Sequence, residues 1–213
     1  MLILKKKSVK NAFEELIPKI LNEGIDMTTE DGQKCKEIMN TVIEITDPAN
    51  MDVSSKYPLG ENAIKSYTNQ LINGCSTEFV YDYHERIFEY PNQDKTEKFD
   101  QIDYIVGKLS ENHSSRRAIA ITWNPYIDTQ VKDVPCLQFV EFLVRNDELY
   151  MTVLFRSNDA YLAFHANALG LIALGQTVAD KLNIPLKKYT HHSVSMHVYV
   201  KRDIDNLRKD FKI

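Results

Sequence analysis

Cys136 is the residue of this chain best placed to do chemistry. It stands in Val134-Pro135-Cys136-Leu137-Gln138, and further on come Leu154-Phe155-Arg156-Ser157-Asn158-Asp159 and Phe164-His165-Ala166-Asn167. A lone cysteine is most often a small core residue. Here the preceding proline disfavours helix, so the thiol begins a strand at a mouth, and Arg156 would favour its thiolate. A thiolate beside a guanidinium, with an Asn and an Asp at hand, suits attack on an electron-poor heterocycle. Arg116 and Arg117 form a second cationic group at a strand start. Such a pair is usually a solvated charge cluster, although it also fits a phosphate-sized anion.

Other constellations carry less. His191, His192 and His197 invite a metal reading, but along a strand His192 points away from the other two. His191 and His197 would lie about 20 Å apart at ~3.3 Å per residue, so no metal is expected. No GxSxG elbow frames a serine, and a hydrolase built on Cys136 and His197 has no local signature. Cys35, Cys75 and Cys136 are an odd set without a CxxC pair, which points away from a disulfide framework or a zinc ribbon. A net charge of −4 with pI near 5.9 gives no overall field for nucleic acid.

The elements that must hold these residues can be read from spacing. At 213 residues, 43% hydrophobic and 26% charged, with seven Gly and seven Pro, the chain reads as one compact domain over residues 1–213. No apolar run reaches the ~18 residues of a membrane span. Met1-Leu2-Ile3-Leu4-Lys5-Lys6-Lys7 is too short in its apolar part for a signal peptide, so a cytoplasmic location is expected.

Ser8 precedes a helical pattern through Val9, Ala12, Phe13, Leu16 and Ile20, stopped at Gly24. Met39 to Ile45 reads as a strand and Asn50 to Gly60 as a loop. A helix carries Ala63, Ile64, Tyr67 and Leu71 up to Gly74, a short strand is expected over Glu78 to Tyr83, and Ile102, Ile105, Val106 and Leu109 mark another helix. Ala118 to Trp123 is a strand cut off by Asn124-Pro125. Leu137 to Val144 and Leu149 to Phe155 form a hairpin around Arg145-Asn146-Asp147-Glu148, placing Cys136 and Arg156 together at its open end.

Ala168 to Leu182 reads as the most buried helix. Gly170 and Gly175 cost it about 1 kcal/mol each against Ala, which points to close packing on a sheet. Ser193 to Val200 alternates, with Val194, Met196, Val198 and Val200 on one face and Ser193, Ser195, His197 and Tyr199 on a polar face that could line a site. Strands joined partly by helices and partly by hairpins define an α+β class with a mixed sheet packed by helices.

Five pieces now fall into one order: Ser115-Arg116-Arg117-Ala118-Ile119 with Trp123-Asn124, Val134-Pro135-Cys136, Phe155-Arg156-Ser157-Asn158-Asp159, Ala166-Asn167, and His197-Val198-Tyr199. In order and spacing they resemble the thymidylate synthase family, and most the short archaeal type without the large bacterial insertions. The likeness is good over residues 78–200 and loose over the first 75.

The resemblance implies a thymidylate synthase-like fold and the methylation of dUMP to dTMP. It implies 5,10-methylenetetrahydrofolate or methylenetetrahydromethanopterin as co-substrate, and a homodimer with shared sites. Cys136 then resembles the nucleophile that adds to C6 of the uracil ring. Arg156 and Ser157 resemble residues gripping the nucleotide phosphate, and Arg116 and Arg117 the pair lent to that phosphate across a dimer interface. Asn167 resembles the reader of the pyrimidine edge, His197 and Tyr199 the pair on the 3′-hydroxyl, Asp159 the residue ordering the pterin, and Tyr81 the tyrosine assisting proton removal at C5. The chain departs from the family in four places. No arginine matches the N-terminal phosphate loop near Asp31-Gly32, Asp82 and His84 replace a Gly and a Gln, Leu137 replaces a His, and Tyr67 stands at the position of a catalytic glutamate. Tyr67 or Glu61, with ordered water, would take over that proton handling. A pyrimidine nucleotide hydroxymethylase, or a nucleotide-binding protein that has lost turnover, are the alternatives.

Overall fold

Ser8, two residues past the first strand, starts the first helix, its hydroxyl accepting the Asn11 N–H at 3.3 Å. In the computed structural model, residues 1–75 and 82–212 are described. The chain runs β1 (Leu2–Lys6), α1 (Val9–Glu23), β2 (Ile25–Thr28), β3 (Lys34–Ile45), α2 (Gly60–Asn73) and α3 (Tyr83–Phe88). A small ribbon of β4 (Tyr90–Pro91) and β5 (Lys98–Phe99) precedes α4 (Gln101–Glu111), β6 (Ile119–Ile121) and α5 (Pro125–Asp128). The functional half follows as β7 (Leu137–Arg145), β8 (Glu148–Asp159), α6 (Phe164–Leu182), β9 (Leu186–Val198) and α7 (Val200–Phe211).

One sheet runs in the order β1-β3-β9-β8-β7-β6, with β2 paired to β3. β1 pairs β3 and β8 pairs β9 in parallel, and α1 and α6 lie in the two connections that such pairs require. The other pairings in this sheet are antiparallel, so the fold is α+β with a mixed sheet. Helix α6 is buried along most of its length, packed against α1, α2, α4 and the sheet. Its two glycines serve different neighbours. A Cβ on Gly175 would come within 2.9 Å of Met151 in β8, as sheet packing requires, but one on Gly170 would come within 2.8 Å of the Tyr67 ring on α2.

Several expectations are corrected. Most of the strand expected over Glu78 to Tyr83 lies outside the described residues, and its last residue, Tyr83, opens α3. Asp82 caps that helix, accepting the His84 N–H at 2.9 Å. Trp123 lies beyond β6, which ends at Ile121. β3 and β9 begin well before the expected positions. β9 stops at Val198, so Tyr199 and Val200 belong to the start of α7 rather than to a strand. The two faces of β9 are also reversed in part. Val194 is 44% exposed while Ser193 is fully buried. Polar side chains are tolerated inside because they satisfy one another. His191 Nδ1 lies 2.8 Å from the Tyr189 hydroxyl, and its Nε2 lies 3.0 Å from Asn158 Nδ2 and 3.2 Å from Ser193 Oγ, with the ring stacked on Phe155.

The buried histidines predict a pH dependence. Burial holds His165 down at about 4 and His191 at about 3. Both are neutral in the fold and take up a proton near pH 6.5 once unfolded. Their contribution is therefore complete above pH 6.5 and is lost as the pH falls toward 4 and then 3. From these two alone the unfolded chain holds about two more protons near pH 5, so the unfolding free energy should drop by about 2.7 kcal/mol per pH unit, and His197, also lowered by burial, adds to the slope. Urea titrations across pH 7 to 4.5 measure this slope, and His191→Gln should lower it by about 1.4 kcal/mol per pH unit. A slope indifferent to that substitution would place the effect in the carboxylates instead.

Candidate active site

The hairpin of β7 and β8 and the parallel pairing of β8 with β9 bring three strand ends side by side. Leu137 is paired with Phe155, and the Arg156 N–H donates to the Cys136 carbonyl at 2.8 Å. Ser157 lies across from Ser195 and Asp159 from His197. Helix α6 starts just beyond this end of β8, which places Asn167 in its first turn.

Each group is held by its local chemistry. The Arg156 guanidinium donates from Nε to the Pro135 carbonyl at 3.0 Å and from Nη2 to the Val134 carbonyl at 2.9 Å. It therefore clamps the backbone that leads into Cys136, while the side chain stays exposed. Cys136 itself is half-buried. Asn167 is only 8% exposed, yet among the described residues its amide has no hydrogen-bond partner, so donor and acceptor are both free for a ligand. His197 is buried, and among the described residues its Nε2 has no hydrogen-bond partner. Burial lowers its pKa, partly offset by the nearby Asp159 and Glu37 carboxylates, so the ring is neutral near pH 7. Its ring meets Tyr199 edge to face at 4.9 Å. Asp159 Oδ1 accepts the N–H groups of Tyr161 at 2.9 Å and Leu162 at 3.1 Å.

Tyr67 is also drawn in. Its ring covers Gly170, one turn along α6 from Asn167, whereas Glu61 is exposed at the start of α2 and paired with Lys65 at 2.7 Å. Of these two α2 residues, Tyr67 and not Glu61 faces this helix. Tyr81 lies outside the described residues.

Arg116 and Arg117 are not brought together with the others. Both are exposed, just before β6 at the edge of the sheet. The Phe142 N–H donates to the Ala118 carbonyl, six residues along β7 from Cys136, which is about 20 Å at ~3.3 Å per residue. Neither guanidinium reaches the Cys136 of its own chain.

Two residues that build this region escaped the sequence reading. Tyr83 Oη accepts the Leu137 N–H at 3.0 Å, fixing the strand directly after Cys136; nothing local in the sequence marks it. Arg202 stacks over Tyr199 with its guanidinium carbon 4.4 Å from the ring centroid and bonds Asp159. Its spacing of three from Tyr199 becomes meaningful only once α7 is known. Among the described residues no group of three or more His, Cys, Asp or Glu side chains is arranged to hold a metal, and no helix is long and apolar enough to cross a membrane.

A cysteine and an arginine at one end of an α+β sheet, with an open amide and a neutral histidine at the same end, are groups that can serve covalent attack on a bound ligand. The model of the thymidylate synthase family matches residues 63–212. A protein of Methanocaldococcus jannaschii named "Putative thymidylate synthase" is 55% identical over 99% of this chain and 96% of its own length. Proteins with the same name from Methanococcoides burtonii (35% identical, 99% of this chain, 94% of its own) and Methanosarcina barkeri (37%, 92% and 89%) are also similar. The chain belongs to the thymidylate synthase family.

Proposed function

We propose that the chain, acting as one domain over residues 1–213, converts dUMP to dTMP with a reduced pterin that carries a methylene group. The observation that supports this most directly is the joint placement of Cys136, the Arg156 clamp and the unpartnered Asn167 amide at one end of the sheet. In this reading the Cys136 thiolate adds to C6, and C5 becomes an enolate carbon that bonds the methylene carbon. The C5 proton then leaves toward solvent through Tyr81 and Tyr67, and elimination of the pterin nitrogen leaves an exocyclic methylene. A hydride from the reduced pterin completes the methyl group as the thiolate departs, leaving a dihydropterin. Arg156 and Ser157 hold the phosphate, Asn167 turns its amide to uracil O4 and N3–H, and the free His197 Nε2, with Tyr199, takes the 3′-hydroxyl. Asp159 orders the pterin.

Two observations support a homodimer. Arg116 and Arg117 lie too far from their own Cys136. One face of the sheet also carries a continuous cross-strand row of Ile121, Phe139, Leu154, His192, Val42 and Ile3, whose end members are 44% and 66% exposed. A second copy packed on that face would bury the row and lend its arginines. The cytoplasm is the proposed site of the reaction.

The product tests the reading. Methylenetetrahydrofolate, or methylenetetrahydromethanopterin, is incubated with dUMP, and nucleotide mass and dihydropterin absorbance are followed. Formation of dTMP with one equivalent of dihydropterin is expected. A hydroxymethyl nucleotide with the tetrahydropterin retained would assign water, not hydride, to the last step. Binding without either product would mean a protein that keeps the pocket and has lost turnover.

A further inference from the structure

Asp159 ends β8, His197 lies near the end of β9 and Tyr199 caps α7, and one residue of α7 ties them together. Arg202 grips Asp203 with Nε at 2.7 Å and Nη2 at 2.6 Å, and the same Nη2 reaches Asp159 Oδ2 at 2.5 Å. Asp203 is 5% exposed, so the fork is anchored on a buried carboxylate rather than waving in solvent. The guanidinium plane rests on Tyr199, whose ring is itself braced edge to face by His197. A lysine could not make this arrangement, because a point charge cannot serve two carboxylates and a ring at fixed angles.

The acceptor count at Asp159 gives this clamp a function. A carboxylate has about four lone-pair sites. Oδ1 uses two on the Tyr161 and Leu162 N–H groups, and Oδ2 uses one on Arg202. A single site on Oδ2 is left.

We propose that Arg202 is the positioning residue for the reduced pterin: it fixes the Asp159 carboxylate so that one acceptor site, of one orientation, meets one N–H donor of the aminopyrimidinone ring. The proposal rests on the reading that Asp159 orders the pterin, and it assigns the binding geometry to a residue outside that reading. Arg202 acts through Asp159 and does not touch the reacting atoms. The ring edge is common to the folate and methanopterin series, so the clamp serves either.

Arg202→Gln, Arg202→Lys, Asp159→Asn and the Asp159→Asn/Arg202→Gln double variant are compared with wild type, using both methylene donors. KM values for pterin and dUMP and kcat are measured. Arg202→Gln should raise the pterin KM about tenfold, the weight of one well-oriented charge-assisted hydrogen bond, with kcat and the dUMP KM changed less than about threefold. Arg202→Lys should fall between. In the Asp159→Asn background, Arg202→Gln should add nothing, because the group it positions is gone. A pterin KM within about twofold of wild type in Arg202→Gln, or the same fold-change in both backgrounds, overturns the proposal. Should Arg202→Gln fail to fold by circular dichroism, Arg202→Lys carries the test, and an unchanged pterin KM there overturns it. Wild type that binds dUMP and tetrahydropterin without turnover is read through calorimetric Kd ratios for the same variants. Wild type that binds no pterin of either series refutes the reading of Asp159, and this inference with it, which is a different result from an intact wild type and an indifferent Arg202.

Discussion

Cys136→Ala should abolish covalent capture of 5-fluoro-dUMP in the presence of a methylene-carrying pterin, and all turnover of dUMP with it. The fluorine at C5 cannot leave as a proton does, so a nucleophile that has added to C6 stays attached and the protein gains the mass of nucleotide plus pterin. Of the three cysteines, Cys136 alone lies at the open end of the hairpin, directly before β7, with the Arg156 guanidinium bound to the two carbonyls before it. Cys35 is 2% exposed, and burial, with Glu37 nearby, pushes its thiol pKa up, which disfavours the thiolate that attack requires. The Cys75 thiol is engaged with the Asp82 carboxylate at 3.8 Å, away from the open end of the hairpin. Intact-protein mass spectrometry should show the adduct in wild type and in Cys35→Ala, and none in Cys136→Ala. An adduct that persists in Cys136→Ala, or peptide mapping to Cys35 or Cys75, would sink the assignment. Retained dUMP binding in Cys136→Ala separates loss of the nucleophile from loss of the pocket.

The hairpin carrying Cys136 and Arg156 was legible because its two strands alternate around a polar turn; the strands extend through Arg145 and Glu148, so the turn itself is Asn146-Asp147, and register follows from it. α1 and α4 were legible for a similar reason, since their apolar spacing coincides with good caps at Ser8 and Asp100. The faces of β9 were not. Alternation reveals that there are two faces but not which one the helices cover. Here Tyr189, His191 and Ser193 go inside because hydrogen bonds and ring stacking make a polar interior face tolerable. α7 was invisible for the opposite reason. Its sequence is dominated by charge, its buried residues include Asp203 beside Leu207 and Phe211, and what holds it is the Arg202 fork together with the Tyr161 hydroxyl donating to Asp210 at 2.9 Å. The sequence thus exposed Cys136 and the arginines proposed to bind the phosphate, whereas Tyr83 and Arg202 act on this region through contacts that no spacing rule encodes.

Arg116 and Arg117 lead to the second large effect, the rescue of two inactive chains by mixing. A chain with Arg116→Ala and Arg117→Ala should keep less than about 1% of wild-type activity, since two charge-assisted contacts of about 1.5–3 kcal/mol each are lost. A Cys136→Ala chain should have none. If the arginines serve the partner's site, a heterodimer of the two has one site with everything, its Cys136 from one chain and both arginines from the other, and one site with neither. Random reassortment makes heterodimers about half of the population with one working site in two, so mixed and exchanged samples should recover about a quarter of wild-type activity. The geometry favours this result. Arg117 lies just before β6, next to Ala118, which is level with Phe142, six residues along β7 from Cys136, so service within one chain would require the sheet to be unmade. Subunit exchange is verified by native mass spectrometry of isotopically labelled chains. Exchange without recovery would show that each chain completes its own site and that the exposed row across the sheet has another use. Substituting Asp for Leu154, in the middle of that row, should in turn lower the recovery along with the dimer fraction, because it places a charge where the two copies would meet.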